Sequence, residues 1–376
     1  MTVRFWVALA ALPVAFVGCS SEGDTPPAPG SGAQGATAGT SSSGGSAGSA
    51  GGSAGGGQGG SITAGSAGTS AGSGGTSAGS GGASGSGGSA GSGGATGGPV
   101  TPTEVNGKYT FAYGDVVFEV DATVAGRVVT FSKGGTNVLD DGDGMDYYGS
   151  TLWLAPEEVY GFPPEGIDAG AFTPTLEGAT LVLTGPLDAP SGFSASKRFT
   201  VDSALDRVEV VYSLKNETAT TPVAAWEVTR LAHSGISFFS APTVGMVADW
   251  GTLTHVYDDV THVTWIDQVV DEPLGGKLFQ DGAGWLAHAQ GTLLFMKTFP
   301  DLQPAEFADP DTEVEVYVSP PETDYIELEN SGPLTTLAAG ESLTYTTQWY
   351  LRTIPGTVTV AASSQTLLDF AAGIAQ

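Results

Sequence analysis

The chain has 376 residues, 58 of them glycine and only one cysteine, and a formal net charge of −28. A lone cysteine excludes an intramolecular disulfide, and so strong an acidic balance makes nucleic acid and anionic lipid repelled partners. The acidity reads as a device for solubility in an external medium, with cation binding as the alternative.

The chain opens with Arg4, an apolar run from Phe5 to Val17, then Gly18 and Cys19. That is the layout of a secretory signal; the run is too short for a stable membrane span. Phe16-Val17-Gly18-Cys19 resembles a lipobox, with Phe16 where Leu is usual. The resemblance implies a signal peptide over 1–18 and a lipidated Cys19 as the first mature residue. Two or more acyl chains there give a stable membrane anchor. The expected location is outside the cytoplasm, at the outer membrane or cell surface.

From Thr25 to Thr103 no residue is charged, and the stretch from Ser41 to Gly98 is almost wholly Gly, Ser and Ala. Such a chain forms no core. It behaves as a flexible coil with a reach of about 50 Å for some eighty residues, so 19–103 reads as a disordered tether. The irregular SAG and SGG units lack the period of collagen.

Beyond Pro102 the composition changes to short runs of Val, Thr, Tyr, Phe and Trp punctuated by Gly, Asp, Asn and Pro. This is the pattern of strands and turns. Strands are predicted at Lys108 to Phe111, Val116 to Ala122, Arg127 to Phe131, Thr180 to Thr184, Ser196 to Val201 and Arg207 to Lys215. Further ones follow at Val223 to Leu231, Leu293 to Thr298, Glu313 to Val318, Tyr325 to Glu329 and Ser342 to Leu351. The only helical period is the tail from Gln365 to Ala375. Residues 104–376 are therefore expected to form an all-β, mostly antiparallel sandwich. A division near Gly235 is the alternative.

Four segments resemble the galactose mutarotase-like domains of the aldose 1-epimerase superfamily. Val124 to Phe131 followed by Gly135 to Leu139 is similar to their opening strand and hairpin. Tyr148 to Glu157, continued by Tyr160 to Pro164, resembles the Leu-Trp-x-Ala-Pro run of an uncharacterised mutarotase-like family. Val223 to Arg230 is similar to that family's Trp-x-x-Thr strand. Tyr325 to Asn330, running into Leu337 to Ser342 and Gln348-Trp349, looks like the mutarotases' Leu-Glu-Thr strand and Gly-Glu hairpin. The resemblance implies a large β-sandwich that binds a carbohydrate.

Mutarotation needs a base for the anomeric hydroxyl and an acid for the ring oxygen. The resemblance puts the base at Glu329, with Glu327 on the same strand face as its substitute, since side chains alternate. The opposing reading makes both ordinary solvent-facing strand residues. The family's Asn-His-x-Tyr-Phe-Asn motif is absent. His233 is then the nearest histidine for the acid, ahead of His255, His262 and His288. Arg230 offers planar donors to a sugar hydroxyl or carboxylate. Trp153, Trp226 and Tyr160 are the leading candidates for an aromatic platform, with Glu157 beside them and Phe162, Trp250, Trp265 and Trp285 as further aromatics, although aromatic residues mostly fill cores.

The acidic loop from Asp140 to Asp146 invites a calcium reading, but Met145 sits where a ligand is wanted, and a solvated hairpin tip fits better. No metal ligand set, cofactor motif, phosphate loop or nucleophile elbow is found. The function expected is thus a membrane-anchored, mutarotase-like carbohydrate-binding protein, with epimerase activity on a free sugar or sugar acid as its enzymatic form. A monomer is expected. The rival is a non-catalytic structural or adhesive β-sandwich lipoprotein, because one fold hosts many functions.

Overall fold

The structure is a computed structural model describing residues 97–142, 146–161, 163–248, 251–268, 275–320 and 323–374. The leader, Cys19 and the tether as far as Thr96 lie outside the described residues, as do Phe162, Trp250 and the middle of the acidic loop.

Among the described residues the chain forms two large antiparallel sheets, of 11 and 12 strands, packed as a sandwich. One sheet runs in the order Val256–Asp258, Val263–Asp267, Ile236–Ser240, Trp285–Gln290, Leu293–Thr298, Ser342–Thr353, Arg207–Asn216, Phe193–Asp202, Thr180–Asp188, Thr173–Glu177. The other runs Met246–Val247, Gly276–Gln280, Val314–Val318, Tyr325–Ser331, Thr221–Ala232, Ser150–Ala155, Arg127–Lys133, Val116–Asp121, Lys108–Tyr113, Thr103–Val105. Each sheet takes strands from both sides of Gly235.

Phe193–Asp202 and Arg207–Asn216 alternate buried and half-exposed positions along almost their whole length, which is why their apolar period could be read directly. Ser150–Ala155 is different: all six residues are buried, because other parts of the chain cover both faces of the sheet there. A strand buried on both sides carries no alternation, and this one was not predicted.

The sheets are joined by an aromatic cluster. The Trp349 indole meets the rings of Phe118, Phe131 and Phe295 at centroid separations of 6.0, 6.0 and 5.2 Å, in tilted and edge-on arrangements. The outer face of the first sheet is covered by the helix Gln365–Ala372, shorter than the predicted tail and capped by the Ser364 hydroxyl, which accepts from the Leu367 N–H at 3.3 Å. Leu367 and Ala371 enter a second apolar cluster with Phe238, Trp265, Met296 and Tyr350.

A polar bridge crosses the interior. Lys297 of one sheet lies 3.0 Å from Glu227 of the other, both fully buried. The ammonium also donates to the Leu328 carbonyl at 2.9 Å, and the Thr347 hydroxyl donates to the second Glu227 oxygen at 2.8 Å. Burial pushes the Lys297 pKa down, and the Glu227 charge opposes that shift. The ion pair is therefore held by hydrogen bonds on both sides, the condition under which a buried pair is tolerated.

Lys297→Met, which strands a buried carboxylate, is expected to cost about 3–5 kcal/mol in urea unfolding with an unchanged m-value. The double variant Glu227→Gln/Lys297→Met is expected to recover most of that loss.

Candidate functional site

The strand Thr221–Ala232 is the axis of the site. It pairs on one side with Tyr325–Ser331, setting Val228 opposite Glu329 and Arg230 opposite Glu327, and on the other with Ser150–Ala155, setting Trp226 opposite Trp153. Opposed residues share a face, so Trp153, Trp226, Arg230, Glu327 and Glu329 project together from the outer side of this sheet. The next two strands extend the same face: Glu315 lies opposite Glu329, Tyr317 opposite both Glu327 and Lys277, and Phe279 opposite Glu315.

The start of Ser150–Ala155 is fixed by Gly149. Its φ is +60°, and a Cβ there would sit 2.2 Å from the Val128 carbonyl oxygen, so no larger residue fits. The Gly149 carbonyl accepts from the Arg230 N–H at 2.8 Å, holding the entering loop against the axial strand.

Two cations organise the carboxylates. The Arg230 Nε donates to Glu327 Oε1 at 2.8 Å. Its guanidinium carbon lies 5.0, 5.3 and 6.0 Å from the ring centroids of Trp153, Tyr147 and Tyr325. Both terminal nitrogens are buried with no hydrogen-bond partner among the described residues. Lys277 stands between two acids, with Nζ 2.6 Å from Glu315 Oε2 and 3.0 Å from Glu329 Oε2, and lies 4.8 Å from the Trp226 ring centroid. The Trp226 Nε1 donates to the same Glu329 oxygen at 2.8 Å, while Glu329 Oε1 has no partner among the described residues.

More acid surrounds this group. The Asp311 carboxylate accepts from the Glu157 N–H at 3.1 Å, and both side chains are near enough to Lys277 and Glu329 to feel their charges. With two cations among five carboxylates, burial raises several pKa values. Glu315 is pushed up to about 8, mainly by burial, with Lys277 pulling the other way and Glu329 and Asp311 adding to the rise. Glu327 is raised to about 7 by burial against the pull of Arg230, and Asp311 to about 6 by burial. Burial opposes the Lys277 charge, yet Glu329 and Glu315 outweigh it and hold that pKa well above the usual lysine value.

The cluster is mostly enclosed. Trp153 and Trp226 meet edge to face at 5.3 Å and pack under Ala308, Leu334 and Tyr147. Glu157 is half-buried at the edge of the cluster, and Glu327 and Lys277 reach solvent with side chains 11% and 10% exposed, flanked by the half-buried rings of Tyr147, Tyr317 and Phe279.

Other residues singled out in the sequence fall elsewhere. Tyr160 turns toward the inter-sheet core, donating to the Pro222 carbonyl at 2.6 Å and packing on Phe193. His233 lies past the end of the axial strand, with Nδ1 3.5 Å from Asp324, five residues along from Glu329 or roughly 16 Å at strand spacing. His288 is buried beside Ser237, its pKa pushed down to about 4 by burial. Trp265 and Trp285 pack with Phe238 on the opposite sheet. Lys277 and Glu315, which sequence reasoning missed, sit in segments without a motif; only the Glu-x-Glu alternation of 313–315 hinted at a polar strand face.

A separate cleft of about 550 Å³ is bordered by Ser240, His262, Asp281, Asp301 and Gln303. Its lining has no Trp, Tyr or Phe ring and no lysine or arginine, so it lacks the platform on which a sugar ring stacks.

No family model matches the chain, and no curated protein matches it. Solved structures do. A galactose mutarotase-like protein from Lactobacillus casei is similar over 65% of this chain and 100% of its own, at 10% identity and a TM-score of 0.50. A galactose mutarotase-like protein from Clostridium acetobutylicum (8% identity, 68% of this chain, 99% of its own, TM-score 0.45) and a galactose 1-epimerase from Lactobacillus acidophilus (10%, 66%, 95%, 0.39) are also similar. The described β-sandwich thus has the galactose mutarotase-like fold.

A carboxyl whose folded pKa is raised binds more protons folded than unfolded, so its contribution to stability is full below about 4.5 and is lost as pH rises through the folded value. For Glu315 that window runs from about 4.5 to about 8. Wild type is expected to lose more stability across it than Glu315→Gln, as read from urea midpoints at pH 5 and pH 8.

Proposed function

We propose that this chain is a carbohydrate-binding, mutarotase-like protein that interconverts the anomers of a free sugar. The observation that carries the reading is the convergence of Glu327, Glu329, Arg230, Trp153 and Trp226 on one face of one sheet. The similarity of fold to the galactose mutarotase-like protein supports it. A pyranose presents an apolar C–H face to rings and hydroxyls to charged groups, and this cluster offers both.

Access is from the side where Glu327 and Lys277 reach solvent, with Tyr147, Tyr317 and Phe279 as the outer platform. Glu327 serves best as the base. It is the more accessible acid of its strand, Arg230 fixes its position, and a pKa of about 7 suits proton abstraction near neutrality. Glu329, the base implied by resemblance, lies deeper and is tied to Trp226 and Lys277. Arg230 holds two further donors, buried and without a partner among the described residues, that an oxygen entering the cluster would satisfy. The carboxylate excess favours a neutral sugar over a sugar acid.

Polarimetry of a freshly dissolved pure anomer tests the reading. Wild type is expected to accelerate the decay to equilibrium, and Glu327→Gln to slow it by at least about 100-fold. Equal rates for the two proteins would remove Glu327 from the mechanism.

The reading includes an anchor at Cys19, with residues 20–103 as the tether that carries the domain away from the membrane. In a bacterial host, Cys19→Ser is expected to move the protein from the membrane fraction to the soluble one. Retention of the variant in the membrane fraction would contradict lipid anchoring.

A further inference from the structure

Proton transfer to the ring oxygen calls for an acid, and three of the four histidines, His233, His262 and His288, are engaged with groups outside the cluster. His233 is at a strand end with Asp324, His288 is buried against Ser237, and His262 faces Tyr257. The carboxylate cluster holds an alternative. Glu327 has its own cation, Arg230, at 2.8 Å. Glu315 and Glu329 have one between them: Lys277, at 2.6 and 3.0 Å. Both acids are shielded from water, at 1% and 0% exposure. Two buried carboxylates on one ammonium cannot both ionise without leaving a buried net negative charge, which favours one proton on the pair.

We propose that Glu315 and Glu329, joined by Lys277, form a carboxyl dyad that holds one proton and supplies the general acid of this site, with Glu327 as the base. The proposal rests on the mutarotase reading and names the proton donor that reading lacks. Glu329 is the member that shares a strand and a face with Glu327. Its Oε2 takes the Trp226 and Lys277 donors, and its Oε1 has no hydrogen-bond partner among the described residues. Glu315 is a positioning residue: its Oε1 accepts from the Thr312 N–H at 2.9 Å and its Oε2 faces Lys277. Glu157 and Asp311, the other acids turned toward Lys277 and Glu329, add negative potential that favours retention. The raised pKa of Glu315, about 8, agrees with a proton held at neutral pH.

The step balances. Glu327 takes the proton of the anomeric hydroxyl; the C1–O1 bond becomes a carbonyl as the C1–O5 bond breaks. The electron pair left on O5 takes the dyad's proton. Closure on the other face of the aldehyde reverses both transfers, so dyad and base return to their starting states. Glu327 and Glu329 are two residues apart on one strand face, roughly 6.6 Å along the strand, and O1 and O5 share one carbon, so the spacing of the two groups matches that of the two transfers.

The test combines polarimetric kinetics across pH with infrared difference spectroscopy of protonated carboxyl groups, on the intact chain. Glu315→Gln is expected to lower kcat about 100-fold with KM within twofold, to move the basic limb of the pH profile below its wild-type position near 8, and to lose a protonated-carboxyl band present in wild type at pH 7. Glu315→Asp is expected to restore part of the rate and the band, separating proton retention from packing. Wild-type kcat and an unmoved limb in Glu315→Gln would overturn the dyad and leave the mutarotase reading standing. Absence of the band from wild type would also overturn it. If wild type accelerates no pyranose while still binding one, the catalytic reading falls, and the dyad's role as acid falls with it.

Discussion

The antiparallel register between Thr221–Ala232 and Tyr325–Ser331 is the constraint on which the site depends. It places Arg230 against Glu327 and Val228 against Glu329, so charges about a hundred residues apart in the chain meet on one face. Strand periodicity makes this all or nothing: a slip of one residue would send Glu327 and Glu329 to the sandwich interior and bring Leu328 out. The interior resists that slip, because Glu227 is tied there to Lys297 and Thr347, and Leu328 belongs to the apolar core. The core ion pair and the outer cluster thus hold a single register from opposite faces of one strand.

Charge on the outer face is arranged in the same economical way. Five acids surround two cations, and the low dielectric of a covered site turns that imbalance into raised proton affinities. Proton-holding carboxyls near neutrality are unusual in an exposed strand face and natural in this one, since Trp153, Trp226 and Ala308 exclude water from beneath and beside them. Stability and proton chemistry therefore draw on one feature: acids kept close together and dry.

Much of this was legible in the sequence, for identifiable reasons. Strands with one wet face, such as Arg207–Asn216, announced themselves by alternation. Some covered on both faces did not: Ser150–Ala155 is buried throughout, and Ile236–Ser240 and Trp285–Gln290 lie beneath the C-terminal helix's cluster, so their runs lack a period. The pairing of Glu327 with Glu329, and of both with Arg230 and Trp226, followed from motifs whose order resembled a family. Lys277 and Glu315 carried no such signal, because their importance comes from cross-strand registers that no local window contains. Tyr160 was grouped with the site by its place in a motif, whereas its hydroxyl bonds Pro222 and its ring packs on Phe193.

The claim that the carboxylate and indole face of the second sheet receives a sugar is tested most directly by tryptophan fluorescence during titration with neutral pyranoses, comparing wild type with Trp226→Phe and Arg230→Lys. A saturable change in wild type that is lost in Trp226→Phe and shifted to weaker affinity in Arg230→Lys is the result expected. Saturable binding with the same affinity in all three proteins would put the sugar elsewhere on the molecule and contradict it.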